Sequence, residues 1–325
     1  MNPWLRALVY SLLIITSLLT VTAWALWFER KFAARMQSRV GPTFYGPFGL
    51  LQPIADAFKL LQKELLVPES ADRFLFLIAP PLTVVLALGA AVVVPFGPEV
   101  VAANLDVGVL YILGLGSLTV IPVWAAGWAS NNKYALLGAM RAVAQSVSYE
   151  IPLVLASLVP VILAGSMSLT DIVNFQIKHG WFAFWPPGPG FFGFLFFLPA
   201  SLAEANRIPF DIPEAESELI AGVTTEYSGM AFGLLYLAEY LHTLIVSAIA
   251  SVLFFGGWDG PFVPGLHWMV AKTLGLFAGI YAIRWSLVRF RSDQLMTICW
   301  KYLVPIGLVL VMVSSLWVHF NAGAP

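Results

Sequence analysis

Eight stretches of this chain stay apolar over lengths on the scale of a lipid bilayer, and that pattern decides the solvent before any other feature is considered. A helix needs about 20 mainly apolar residues to cross a hydrocarbon core. The stretches run over roughly 4–28, 74–95, 107–128, 135–164, 190–205, 221–256, 268–290 and 301–319. The fifth is short. The fourth and sixth exceed a perpendicular crossing, which predicts tilt or extension beyond the lipid. Pro152 and Pro160 mark kink positions in the fourth. Only 11% of the 325 residues are charged, against about a quarter in a soluble domain. The expected fold is an all-α integral membrane protein, a single polytopic domain over 1–325 with about eight transmembrane helices. The first apolar block, Pro3 to Phe28, has no small-residue cleavage site after it and reads as a retained helix rather than a signal peptide.

Lys and Arg set the expected orientation. With eight crossings, the segments 29–73, 129–141, 206–219 and 284–301 share one face and carry Arg30, Lys31, Arg35, Arg39, Lys59, Lys63, Arg73, Lys133, Arg141, Arg207, Arg284, Arg289, Arg291 and Lys301. The other face holds Arg6 and Lys178, with Lys272 at the start of a crossing. The basic face is expected to be cytoplasmic, with both termini outside, as in a multi-pass protein of a bacterial inner membrane. Within 29–73, Leu50–Leu66 has apolar residues at helical spacing with Asp56, Lys59, Lys63 and Glu64 between them, and Pro68 ends it. This predicts an amphipathic cytoplasmic helix at the interface or beneath a partner. A shorter stretch near 168–179 is similar.

Net charge is −1, which argues against nucleic acid as a partner. One cysteine, Cys299, allows neither a disulfide nor a cysteine-rich cluster within the chain. Of four histidines, only His242 lies well inside an apolar block, so no set of paired axial ligands is available to a membrane haem. No bound metal or flavin is expected. The chain shows no internal repeat, which weakens an inverted-repeat transporter as an alternative.

The most unusual passage is Leu198–Tyr240. It contains Glu204, Asp211, Glu214, Glu216, Glu218, Glu226 and Glu239 against the single basic residue Arg207. Carboxylates this dense and partly buried raise one another's proton affinity and titrate together, as a proton relay requires. A solvated acidic loop over 206–220 is the bland alternative for Glu214, Glu216 and Glu218. It is weaker for Glu204, Glu226 and Glu239, which lie in or beside apolar sequence. Pro209 and Pro213 predict an irregular segment, tolerated where it lines a cavity or packs on protein. Glu29 ends the first apolar block, with an interfacial pair to Arg30-Lys31 as its bland account. Arg141, Gln145 and Tyr149 share one stripe of the fourth block, and Ser146 and Glu150 a neighbouring one. Helix–helix hydrogen bonding would also explain these. Snorkelling is the simple account for Lys272 and Arg284.

These residues carry a resemblance. Glu29-Arg30-Lys31, RVGP at 39–42, GLLQPIADAFKLLQKE at 49–64, GWASNNKYALLGAMRAVAQSVSYE at 127–150, LAEANRIPFDIPEAESELIAGVTTEYSGMAFGLLYLAEY at 202–240 and RFRSDQLMTICWK at 289–301 follow one another along nearly the whole chain. The chain resembles the family of H-type membrane subunits of complex I (NADH:quinone oxidoreductase), known in mitochondria as NADH dehydrogenase subunit one. The resemblance implies quinone as substrate, with a tunnel opening from the lipid and lined by Arg30, Asp56, Lys59 and Glu64. It implies a proton path through Glu29, Glu150, Glu204, Glu226 and Glu239, linked to the quinone cavity by Asp211, Glu214, Glu216 and Glu218. It implies docking against peripheral cluster-bearing and quinone-site subunits, and contact with small and antiporter-like membrane subunits within the bilayer. Thr43 follows RVGP where many members have Asn, Pro213 interrupts the acidic loop, and 181–190 has no counterpart. The equivalent subunit of a membrane-bound hydrogenase complex is one alternative, and a stand-alone proton or cation transporter a more remote one.

Overall fold

The computed structural model describes residues 3–98, 100–184, 188–213 and 216–322, and no strand occurs among them. The chain opens with α1 (Pro3–Met36), a turn of 3-10 helix at Pro47–Gly49, and α2 (Gln52–Gln62). Then come α3 (Arg73–Ala91), α4 (Gly108–Leu118), α5 (Val120–Ala129) and α6 (Lys133–Ala164). α7 (Leu169–His179), α8 (Pro189–Glu204) and the single turn α9 (Glu216–Leu219) lead through a 3-10 turn at Gly222–Thr224 to α10 (Gly229–Phe254). α11 (Leu266–Ser286), α12 (Ser292–Thr297), a π-helical stretch at Ile298–Leu303 and α13 (Val304–Ala322) complete it.

Among the described residues, 7 helical segments are long and apolar enough to cross a membrane, and α8 is a shorter apolar helix beside them. The all-helical membrane architecture expected from hydropathy is therefore present. Its boundaries differ in three places. The third expected crossing is divided into α4 and α5 at Thr119. Pro122 has no N–H for the Leu118 carbonyl, and Thr119 closes a tighter turn onto Gly116, N to O at 3.0 Å. The sixth crossing begins at Gly229 rather than near 221, because Gly222 and Gly229 both adopt positive φ (55° each) and turn the chain. The last begins already at Ser292, carried into α13 through the π-helical stretch.

Local chemistry starts the helices where they start. The Asp72 carboxylate accepts from the backbone N–H groups of Phe74 and Leu75 at 3.1 and 3.2 Å, capping α3. Asn132 caps α6 through the Tyr134 N–H at 2.8 Å. α6 ends at Gly165 in the left-handed region (φ 68°). Pro152 and Pro160 sit inside α6 without ending it, as lipid-embedded helices tolerate.

α10 is the central post. It packs against α1, α2, α3, α6, α7, α8 and α11, and 78% of its apolar window is buried, against 11% for the segment through α13. α6 and α8 form the most extensive helix pair. The close crossing of α6 over the 222–224 turn depends on Gly138, where a Cβ would lie 2.8 Å from the Cα of Gly222. α1 and α13 present Leu8, Leu12, Leu308 and Met312 outward. In a lipid solvent such exposure costs nothing.

Candidate functional site

The irregular segment after α8 is held by one side chain. The Gln145 amide on α6 donates to the carbonyls of Ala203 and Phe210, both at 2.7 Å, and lies 3.0 Å from Asn206 Oδ1. Three oxygen partners fix which end of the amide is nitrogen. The Phe290 N–H reaches the Pro209 carbonyl at 3.0 Å, so backbone that no helix satisfies is satisfied by neighbours. This places Arg207, only 1% exposed, between α8 and α10.

Arg207 is the hub of a buried charge cluster. Its Nη1 stands 2.7 Å from Glu239 Oε1, and its Nε donates to Thr243 Oγ1 at 3.2 Å. The guanidinium lies over the Tyr240 ring at 4.5 Å and near the Tyr281 ring at 5.5 Å. Glu29, 5% exposed, comes from α1. Its Oε1 accepts from Arg284 Nη1 at 2.7 Å and its Oε2 from the Tyr240 hydroxyl. Tyr236 adds its hydroxyl 3.1 Å from that of Tyr240. Two cations thus face two carboxylates, with Arg207 and Glu29 buried and Arg284 and Glu239 half-buried. Charges withdrawn from water persist when paired and hydrogen-bonded.

This corrects three simple sequence readings. Arg284 does not snorkel; it is the partner of Glu29. Glu29 does not pair with its neighbours in sequence, because Arg30 bonds Asp56 instead, at 2.6 Å. Snorkelling also fails for Lys272. Its ammonium donates to the carbonyls of Phe255, Gly257 and Asp259 and sits 4.0 Å above the Trp181 ring, clasping the 255–259 turn.

A cavity of about 320 Å³ opens beside this cluster, lined by Ser146, Glu204, Asn206, Tyr236, Glu239 and His242. Pro213, Ala221 and Thr224, from the segment between α8 and α10, form another part of its wall. A second cavity of about 50 Å³ is lined by Ser117, Glu150, Ser157, Glu204 and His242. Ala87, Thr119, Glu204 and His242 line both, so they stand at the junction. With a water occupying about 30 Å³ of liquid, the larger space has room for several waters and the smaller for one or two; both walls are mainly apolar, and Thr119, Glu204 and His242 are the polar residues they share. Glu204 is 8% exposed, and its Oε2 has no hydrogen-bond partner among the described residues. Glu150 accepts from the Ser117 hydroxyl.

The remaining expected site residues divide in two. Asp211 lies near enough to Glu239 to act on its charge. Glu226 accepts from the Asn132 amide, beside the stacked rings of Phe76 and Tyr227 at 4.1 Å. Glu218 faces outward, its side chain 46% exposed, bonded to Arg141 and 3.6 Å from Arg289. Glu214 lies outside the described residues, and Glu216 is placed only by its backbone in α9. On α2, Asp56 is half-buried and also accepts from Gln52 at 2.9 Å, whereas Lys59 is exposed. Glu64 is exposed too, beyond the end of α2 at Gln62, where the expected helix stops short. The structure does not bring these residues to the internal cavities. Sequence reasoning passed over Tyr236, Tyr240, Tyr281 and Ser117. The signal available was Tyr236 and Tyr240 at i, i+4, flanking Glu239.

The hydrogen bond from Arg141 holds the Glu218 carboxyl below the usual range, with the Arg141, Arg289 and Arg291 charges adding to it. A depressed native value means the cross-link contributes fully above the unfolded value of about 4.3 and is lost as pH falls through the lower native one. Protection of the Glu216–Leu219 amides, taken relative to the intrinsic exchange rate at each pH, should therefore be unchanged from pH 7 to about 5 and fall only below about 4. High salt should lessen the difference, because the group is exposed. Protection that falls already near neutrality would show that another group holds α9.

Buried ion pairs, two mainly apolar cavities into which a few ionisable groups project, and an irregular segment lining one of them, all inside a bundle of membrane-length helices, mark a multi-pass membrane protein with ionisable groups in its interior. Comparison with known proteins narrows the class. The family model described as NADH dehydrogenase matches residues 9–315, and the chain belongs to that family. It is 47% identical over 312 residues to the H subunit of NADH-quinone oxidoreductase from Dehalococcoides mccartyi, covering 96% of this chain and 87% of the relative. The same H subunit from Burkholderia ambifaria is 44% identical over 327 residues (97% and 92% covered), and that from Thermomicrobium roseum 44% over 342 residues (99% of each).

Proposed function

We propose that this chain is a membrane subunit of a proton-translocating NADH:quinone oxidoreductase, that it forms the access tunnel for quinone, and that buried carboxylates couple quinone reduction to proton movement. The observation that carries this reading is the pair of cavities meeting at Glu204. They run from the wall formed by Pro213 and Ala221, past Glu239, to Glu150 between α4 and α6. Ionisable groups are costly at such depth unless they serve a path.

Quinone is the substrate, and its tunnel lies on the side of Arg30, Asp56, Lys59 and Glu64. The Arg30–Asp56 pair ties α1 to α2, so a polar group arriving there meets a positioned cation. The electrons come from cluster-bearing peripheral subunits, which dock with quinone-site subunits on the face carrying 29–73. Phe44, 97% exposed, and Phe48 project from that loop as apolar anchors. Small and antiporter-like membrane subunits adjoin the bundle, and both termini face away from the cytoplasm.

Reduction places negative charge near Asp211 and the acidic loop with Glu214, Glu216 and Glu218. Glu239 and Glu29 respond through Arg207 and Arg284, and the proton moves by Glu204 to Glu150, with Glu226 on the flank. Moving one charge against ~100 mV takes about 2.3 kcal/mol, and a change of one in a carboxyl's pKa supplies about 1.4 kcal/mol. Two coupled changes of that size therefore suffice.

The test is Glu150→Gln in the whole complex, with quinone reduction and proton uptake measured together in inverted membrane vesicles. The amide keeps the Ser117 bond but carries no proton, so proton yield per NADH should fall severalfold while the complex still assembles. Full yield would remove Glu150 from the path.

A further inference from the structure

His242 is the one imidazole of the cavity system, and the reading above leaves it unused. It sits on α10 within apolar sequence and lines both cavities, as Glu204 does. Its neighbours on the helix look after themselves: Thr243 returns its hydroxyl to the Glu239 carbonyl at 2.9 Å, and Ser247 to Thr243 at 2.8 Å. His179 likewise turns its Nδ1 to the Phe175 carbonyl at 3.1 Å, but His242 makes no such bond and no hydrogen bond to any described residue. The ring is half-buried and lines the two cavities, so its nitrogens are left to water or to a moving proton there.

The charged groups around it are Glu204 from α8, Glu150 from α6 across the smaller cavity, Glu239 three residues earlier on its own helix, and Arg207 from the bend. α3, α4 and α5 contribute only Thr83, Ser117, Thr119 and apolar residues to these walls.

Resting on the proton-coupling reading above, we infer that His242 is a proton-carrying bridge between the two cavities, passing protons between the Glu204 side and the Glu150 side. One ring nitrogen takes a proton from the larger cavity while the other releases one into the smaller, so the ring returns to neutrality as its tautomer inverts. No other bond is made or broken. The two nitrogens point away from each other across one ring, which suits a group that lines both a larger and a smaller space.

The experiment compares His242→Gln, His242→Glu and Glu204→Gln in the intact complex, measuring NADH-driven quinone reduction and proton uptake in inverted vesicles. Gln fills similar space and bonds water but cannot shuttle a proton. His242→Gln should cut protons per NADH at least threefold, and His242→Glu should restore part of the loss, which a packing role would not do. Wild-type yield in His242→Gln with a loss in Glu204→Gln overturns the bridge and leaves the coupling reading standing. Wild-type yield in both overturns that reading as well. Should the histidine variants not assemble, infrared difference spectra of the unmodified complex with ring-13C histidine decide the matter. Turnover must then show the shift of imidazole ring bands that exchange of tautomers gives, and its absence refutes the bridge.

Discussion

Arg207→Leu should destabilise the protein by about 3–5 kcal/mol, the range for removing one partner of a buried pair, and prevent stable assembly. The guanidinium is 1% exposed and is the direct counter-charge of Glu239. Without it, Glu239 keeps a charge in a wall that water reaches from only one cavity. The double variant Arg207→Leu/Glu239→Leu should recover most of the loss, because a pair replaced by apolar groups of similar volume is often tolerated. Thermal denaturation of the detergent-solubilised complex gives the four corners of that cycle. If the double variant is as unstable as the single, the loss comes from the Tyr240 and Tyr281 faces under the guanidinium rather than from an orphaned charge. If Arg207→Leu melts like the unmodified protein, the pair is not buried in the assembled complex.

Glu204→Gln should have the largest functional effect, because Glu204 is the carboxylate shared by both cavities. Its Oε2 has no protein partner among the described residues, so an amide replaces it without breaking a protein hydrogen bond. Assembly and melting temperature should therefore stay close to those of the unmodified complex. Proton translocation should fall at least tenfold, since a positioned proton-transfer group is commonly worth about 10²–10⁴ in rate. Quinone reduction should slow with it wherever the two steps are tightly coupled. Inverted vesicles with a pH-sensitive dye and NADH oxidation recorded together distinguish a blocked path from a lost enzyme. Normal pumping in Glu204→Gln would mean that the proton passes elsewhere, and the joined cavities would lose their significance.

Hydropathy read the bundle well because it is a local property. Each apolar block is long enough to declare its solvent without its neighbours, and α2 declares its interface by the spacing of Asp56, Lys59 and Lys63. Where the boundaries moved, the causes were also in the chain, at Pro122, Gly222 and Gly229. They act through single hydrogen bonds and φ angles that a hydropathy window averages away. The carboxylates likewise stood out from composition alone, since seven acids against one base in Leu198–Tyr240 is conspicuous.

The order of residues alone settles the solvent, the helices and the ionisable groups carried into the bundle. Their partners were decided only by the tertiary structure. Glu29 meets Tyr240 and Arg284 across separations of 211 and 255 residues, and in the acidic passage Glu218 meets Arg141 and Arg289 from other parts of the chain. The junction of the cavities at Glu204 and His242 is a property of space between α3, α6, α8 and α10. Hydrophobic burial depends on each residue's own surface and can be summed along a chain. Coulombic pairing and cavity shape depend on distances between residues, and those exist only after the helices have packed.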